Sequence, residues 1–275
     1  MLRRNREIVI FNLSAIDLFC SGMGAVMVLM VLLMPYYRKQ DPAPRPVPLV
    51  QAPPPPPVPE PPKPVTPEPE KGVKLLSTDV VFVMDATASM QLELQAVQSG
   101  MGSIVQVLRR LSDDVRVGFV AYVDHGSPAK VPLKSVSNNA DGDENLRELL
   151  KGIANVQLEG GDDWPEDVCD GLEQATRMNW PTPAADRRQI IVLIGDARTH
   201  PEDRSRSLAA VAAWAKVSPI RSVNAVHAGE LDPRVSTEYY AAQQYFKEVA
   251  DAGHGEFFEG QENLLGSILD ILIVR

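Results

Sequence analysis

Half of the thirty residues from Asp41 to Glu70 are proline, fifteen in all, with the runs "PPPPP" and "PEPPKP" among them. No other stretch restricts the fold so severely. Proline has a fixed φ and no backbone N–H, so this segment can build neither a helix interior nor a sheet ladder. It is expected to run as extended polyproline II at ~3.1 Å per residue, a reach on the order of 90 Å. The simplest use is a semi-rigid spacer; the sharper alternative is a ligand for a proline-binding module. Packed structure must lie on either side of it.

On the N-terminal side, residues 1–7 form a basic segment with three arginines. Residues 8–37 follow as a predicted transmembrane anchor, apolar apart from Asn12, Ser14, Asp17 and Ser21. The run from Ala15 to Met34 approaches the ~20 residues that a helix needs to cross a bilayer core. A cleaved signal peptide would have a shorter apolar region and a small-x-small cleavage site. Here the run instead ends in "MPYYRKQ": Pro35 stops a helix, and Tyr36 and Tyr37 suit a membrane interface. An uncleaved single-pass anchor is therefore expected. Weighing Arg3, Arg4 and Arg6 against Arg38 and Lys39, the positive-inside rule puts the N-terminus in the cytoplasm. In a bacterium the remainder would then be periplasmic, or extracellular, beyond the inner membrane. The linker spans 38–73.

From residue 74 to 275 the texture changes: apolar runs alternate with amphipathic stretches. Strands are predicted at Asp79–Met84, Arg116–Tyr122, Gln189–Ile194, Ser222–His227 and Glu256–Glu259, with a short edge strand at Val131–Val136. Helices are predicted at Leu92–Leu111, Glu144–Asn155, Pro165–Met178, Arg204–Val217, Thr237–Ala252 and Glu262–Ile273. Strands alternating with helices imply an α/β fold, a doubly wound and mostly parallel sheet with helices on both faces. Such sheets bind ligands beyond the carboxyl ends of their strands.

Acidic groups gather at those ends. "VFVMDATASM" runs straight from an apolar strand into Asp85-x-Thr87-x-Ser89. "VGFVAYVDHG" leads to Asp124, "IIVLIGDA" to Asp196, and "GGDDWPED" offers Asp162, Asp163, Glu166 and Asp167 before a helix. Carboxylates crowded at one sheet edge repel one another, and a hard divalent cation relieves this. Mg²⁺ takes octahedral oxygen ligands and keeps several waters, so carboxylates plus hydroxyls suit it; Ca²⁺ wants more ligands, and Zn²⁺ prefers His or Cys. Taken singly, each residue has a plainer role: Ser89 as a helix cap, Pro165 and Glu166 as a helix start, Asp196 as the opening of a turn.

Taken together, "VVFVMDATASM", "VRVGFVAYVDHG", "EGGDDWPEDVCDGLEQA" and "IIVLIGDARTH" resemble, in order, the motifs of von Willebrand factor A (VWA) domains, especially those associated with alpha-kinases. Thr87 stands where the Asp-x-Ser-x-Ser motif has its first Ser, and a hydroxyl is retained. "DWPE" is similar to the Asp-x-Pro-Glu loop in the A-type domains of β integrins, whose Glu serves the metal site. The resemblance implies a metal-ion-dependent adhesion site (MIDAS) holding Mg²⁺, or another divalent cation such as Mn²⁺ or Ca²⁺. Thr87 and Ser89 would bind through their hydroxyls and Asp85 mainly through water. Glu166 or Asp163 would replace the usual Thr, with Asp196 behind the direct ligands. Asp124 either supports the site or simply ends its strand. A protein partner would complete the coordination with a carboxylate, which makes the domain a binding module and not an enzyme.

Two alternatives concern other parts of the pattern. "FNLSAIDLFCSGMGAVMVLMVLLMP" resembles the membrane helix of ExbD/TolR- and MotB-type stator subunits. That resemblance implies an ion-carrying Asp17, a MotA- or ExbB-like multi-span partner and a homodimer. Against it, Ser14-x-x-Asp17 also has the form of a helix capping box. The second alternative is a haloacid-dehalogenase-like phosphatase with Asp85 as nucleophile. That family expects Gly-Asp-x-x-x-Asp, and "GDARTH" puts His200 at the last position.

Bulk composition removes other classes. A net charge of −9 with no long basic stretch argues against nucleic-acid binding. Cys20 and Cys169 lie in unlike segments and suggest no disulfide framework, and Cys169 reads as a small buried hydrophobe. His125, His200, His227 and His254 are scattered without the spacing of a ligand set, although His125 and His200 fall near the acidic loops.

Overall fold

The computed structural model describes residues 75–124, 126–160, 164–229, 236–260 and 263–273. The basic segment, the expected anchor with Asp17 and the proline-rich linker lie outside the described residues, as do His125 and Asp163. No helix among the described residues is long and apolar enough to cross a membrane.

Six strands form one sheet: β1 (Ser77–Asp85), β2 (Val115–Tyr122), β3 (Ala129–Ser135), β4 (Arg187–Gly195), β5 (Arg221–His227) and β6 (His254–Glu259). Their order is β3-β2-β1-β4-β5-β6, and only β3 runs antiparallel to its neighbour. The helices are α1 (Gln91–Leu111), α2 (Ala140–Ala154), α3 (Val168–Thr176), α4 (Arg204–Ala215), α5 (Ser236–Ala252) and α6 (Leu264–Ile273). A single 3₁₀ turn, Ala88–Met90, precedes α1.

Strand β1 shows why the sheet is covered twice. Val80, Phe82 and Met84 point into one apolar layer, Val81 and Val83 into the other, and all five are fully buried. A parallel strand with both faces covered reads as a continuous apolar run, and its side chains alternate between the faces. The first layer is closed by α1, α2 and α6 through residues such as Val97, Met101, Leu149 and Ile268. The second is closed by α3, α4 and α5 through Leu172, Val211, Tyr245 and Phe246. The edge strand β3 has only intermediate and exposed residues. Its lysines discourage pairing with another chain, and Lys134 reaches Glu148 of α2 at 2.6 Å.

Two helix starts, those predicted at Glu144 and Pro165, differ most from the sequence expectation. Helix α2 begins at Ala140 rather than Glu144, because the Asn139 side chain accepts a hydrogen bond from the Gly142 N–H at 2.7 Å and caps it early. Helix α3 begins at Val168 rather than Pro165. Glu166 is held extended instead, in a parallel bridge with Thr199, and its N–H donates to the Arg198 carbonyl at 3.0 Å.

The topology creates one crevice. From β1 the chain winds outward through β2 to β3, then returns to lay β4 on the other side of β1. Beyond the carboxyl ends of β1 and β4 the loops part in opposite directions, the arrangement in which open α/β sheets bind ligands. Asp85 closes β1 and Asp196 directly follows β4.

Candidate metal centre

Asp85 is fully buried and lies beside Tyr122 in the sheet register. The chain then turns back over it. The Thr87 N–H donates to Asp85 Oδ1 at 2.9 Å, and the Thr87 hydroxyl donates to the same oxygen at 2.7 Å. Thr87 and Ser89 hydroxyls are 3.2 Å apart. Thr87 is buried, whereas Ser89 is exposed. The pair therefore leads from a dry carboxylate to solvent in two steps.

Asp196 approaches from the neighbouring strand and is nearly buried. Gly195 makes the approach possible: a side-chain carbon there would come within 2.4 Å of the Tyr122 hydroxyl and 3.2 Å of Asp85 Cβ. The third carboxylate is Glu166, 2% exposed. Its backbone bridge to Thr199 fastens the loop before α3 to the loop after β4.

The electrostatics reflect this crowding. Burial, and then the charge of Asp196, push the Asp85 carboxyl up to about 7, against the donors of Thr87. Burial also raises Asp196, and the Ser89 hydroxyl offsets part of the rise. The Tyr122 hydroxyl is driven well above its ordinary range, first by burial and then by Asp85, Asp196 and Glu166. One phenol thus senses all three carboxylates. Sequence reasoning missed Tyr122, whose position in an apolar strand marked it only as core.

Among the described residues, Asp85 Oδ2 and Asp196 Oδ1 are buried and have no hydrogen-bond partner. Buried carboxylate oxygens without donors are costly, and a cation satisfies them. Two hydroxyls and three carboxylates make an all-oxygen donor set, which suits a hard divalent ion. Asp85, Thr87, Ser89, Glu166 and Asp196 are therefore brought to one crevice, while Asp163 lies outside the described residues.

Asp124 has a different setting. Its carboxylate Oδ1 is 3.4 Å from His200 Nε2, and His200 Nε2 is also 3.4 Å from Asp167 Oδ1. Expected only as a scattered histidine, His200 is thus the meeting point of two acids. Residues 124, 167 and 200 are too far apart in sequence for local spacing to show this. His227 is buried beneath the crevice with its ring edge-on to Tyr239 and Phe246, at 5.0 and 5.5 Å between centroids. Burial lowers it to about 4, so it is neutral at physiological pH. Cys169 is buried and forms no disulfide among the described residues.

Relatives agree with this architecture. A family model described as the von Willebrand factor A domain matches residues 79–262. The alpha-protein kinase vwkA of Dictyostelium discoideum is 26% identical over 127 residues, which are 44% of this chain and 19% of that protein. The chain thus spans about a fifth of the curated relative it matches. Among solved structures, the pilus adhesin SpaC of Lactobacillus rhamnosus GG superposes with a TM-score of 0.53 at 14% identity, covering 73% of this chain and 30% of that one. BatB, a conserved hypothetical protein of Bacteroides thetaiotaomicron, gives 0.50 at 15% identity, covering 71% of this chain and 97% of that one. At such identities the solved structures establish the fold alone. With the family model matching well over half of the chain, this protein belongs to the von Willebrand factor A domain family.

Proposed function

We propose that this chain is a membrane-anchored binding module that grips a protein partner through a divalent cation held at the ends of β1 and β4. Two buried oxygens support the proposal: Asp85 Oδ2 and Asp196 Oδ1, each without a hydrogen-bond partner among the described residues. Thr87 and Ser89 would offer hydroxyls to the ion, Asp85 and Glu166 would balance its charge, and Asp196 would hold the set from behind. Asp163 belongs to the same proposed set by motif. The ion would supply an electrophilic position that a partner's carboxylate can fill. Mg²⁺ fits best, with Mn²⁺ or Ca²⁺ as alternatives. Three acids near the ion lower its net positive charge, so the partner's carboxylate must come with further contacts of its own. Binding, not turnover, is the role assigned; the position where a haloacid-dehalogenase phosphatase would carry its downstream Asp is His200.

Mg²⁺-dependent capture of a partner by the purified chain is expected to vanish in Asp85→Ala with the fold retained. Equal capture in that variant, or in EDTA, would refute the metal role.

Residues 8–37 are proposed as the anchor and 38–73 as the spacer that holds the domain at 74–275 away from an inner-membrane surface, N-terminus inside. Extraction of the chain from membranes by alkaline carbonate would contradict this. Asp17, alone among the acids in lying within the apolar run, favours a second reading: a B-type stator component, dimeric, with a MotA- or ExbB-like partner. Purification of the chain in mild detergent without any multi-span protein would count against it.

A further inference from the structure

We propose that Asp124, Asp167 and His200 form a second cation site, for a borderline transition-metal ion of the Zn²⁺ class, beside the all-oxygen centre and independent of it. One ligand atom from each of the three residues lies within 4.8 Å of the others. The spacing is informative. Both nitrogen–oxygen separations are 3.4 Å. That is longer than the ~2.7–3.2 Å of an ordinary N–H···O hydrogen bond. The His200–Asp124 contact is thus a long hydrogen bond, and both separations equal the edge of a tetrahedron around Zn²⁺, ~3.4 Å for bonds of ~2.1 Å, with the two carboxylate oxygens no more than 4.8 Å apart. One imidazole nitrogen equidistant from two carboxylate oxygens is an awkward hydrogen-bond donor, whereas a nitrogen and two oxygens around one ion are natural co-ligands. Three protein ligands plus one open position are the usual set for an accessible Zn²⁺ centre. All three residues are partly exposed, so solvent or a partner group can take the fourth place.

The surrounding backbone is arranged for it. Asp167 occupies the N-cap position of α3, yet its side chain makes no capping hydrogen bond. The Thr199 hydroxyl does this work instead, accepting from the Cys169 N–H at 3.3 Å. The carboxylate is thereby turned toward His200. Because Glu166 is extended, it and Asp167 direct their side chains apart, one to each centre. Gly160 completes the wall with a left-handed φ of +69°, its Cβ position 3.6 Å from Asp124 Cβ. Its carbonyl lies 3.4 Å from the Ala88 N–H in the loop of the first centre. The donor chemistry separates the two centres: oxygen atoms alone at the first, imidazole and carboxylates at the second.

Cobalt(II) titration of the full purified chain tests the proposal, because a tetrahedral nitrogen–oxygen cobalt centre absorbs strongly in the visible and an octahedral all-oxygen one only weakly. Strong bands are expected in the wild type and in Asp85→Ala. They should be lost in His200→Gln and in Asp124→Asn, both checked for folding by circular dichroism, and Zn²⁺ should displace them in the wild type. Affinity for Zn²⁺ should fall at least tenfold in either variant. Absence of the bands in the wild type, their survival in His200→Gln, or their loss in Asp85→Ala would overturn the second site. Failure of Mg²⁺-dependent partner capture would leave these readouts untouched, so the two proposals can fail separately.

Discussion

Strand β1 carries a fully buried aspartate near each end, and the two are treated oppositely. At its start, Asp79 meets the Arg187 guanidinium at 2.5 Å, Gln189 at 3.3 Å and Arg116 at 3.9 Å. Arg187 also pairs with Asp114. At its end, Asp85 meets the Thr87 hydroxyl and the charge of Asp196, with no cation among the described residues shown to counter them. Burial raises both carboxyls. Only at the first does the fold supply positive charge to counter it. A buried acid compensated from within is a part of the scaffold; one left uncompensated six positions along the same strand is the mark of a site that is finished from outside.

The largest expected effect comes from breaking the compensated end. Arg187→Met should destabilise the chain by about 3 kcal/mol or more, because it strands Asp79 in the interior. Urea unfolding measures this. The uncompensated end should respond with the opposite sign. In EDTA, Asp85→Asn should stabilise the chain, on the order of 2 kcal/mol at pH 8, since it removes a buried charge that only a metal would balance. The same variant should lose the stabilisation that Mg²⁺ gives the wild type, ~2.7 kcal/mol at a hundredfold excess over Kd.

A pH series sharpens the contrast. The folded-state value of Asp85, about 7, lies above the ordinary carboxylate value of 3.8. Folding therefore takes up a proton between these limits. The stability that this proton contributes is complete below the unfolded value and disappears as pH rises through about 7. Metal-free wild type should thus weaken from pH 5 to pH 8 more steeply than Asp85→Asn, by up to ~1.4 kcal/mol per pH unit. Mg²⁺ should flatten the difference, because it favours the ionised form. Equal slopes with and without Asp85 would mean that the carboxylate is compensated after all. The smallest structural effect belongs to exposed Ser89. Ser89→Ala should change metal-free stability by less than ~0.5 kcal/mol while weakening Mg²⁺ binding in calorimetry.

How legible this was in the sequence depended on whether the relevant force was local. The strands announce themselves because both of their faces are buried, so Val80 to Met84 form an unbroken apolar run. The Asp85-Thr87-Ser89 turn is equally visible, since the hydrogen bonds that Thr87 makes to Asp85 and Ser89 all lie within four residues. The start of α3 was not: Pro165 and Glu166 look like a helix opening, but a bridge to Thr199, thirty-three residues on, holds Glu166 extended. Tyr122 looked like core and is core, yet its hydroxyl lies among three acids that arrive from other loops. His200 was hidden for a similar reason, as its contacts with Asp124 and Asp167 exist only once the sheet has formed.

The step from buried Thr87 to exposed Ser89 has a consequence for time rather than affinity. An ion held behind a closed loop could leave only as fast as the fold opens. Here one hydroxyl already faces water, and the loops before α3 and after β4 are fastened to each other. Exchange of an ion bound there would then be limited by the stripping and restoring of water on the ion itself. Mg²⁺, which dehydrates reluctantly, should come and go slowly, and Ca²⁺ or Mn²⁺ faster. The lifetime of a partner complex would thus be set by which ion fills the crevice, with no change in the protein.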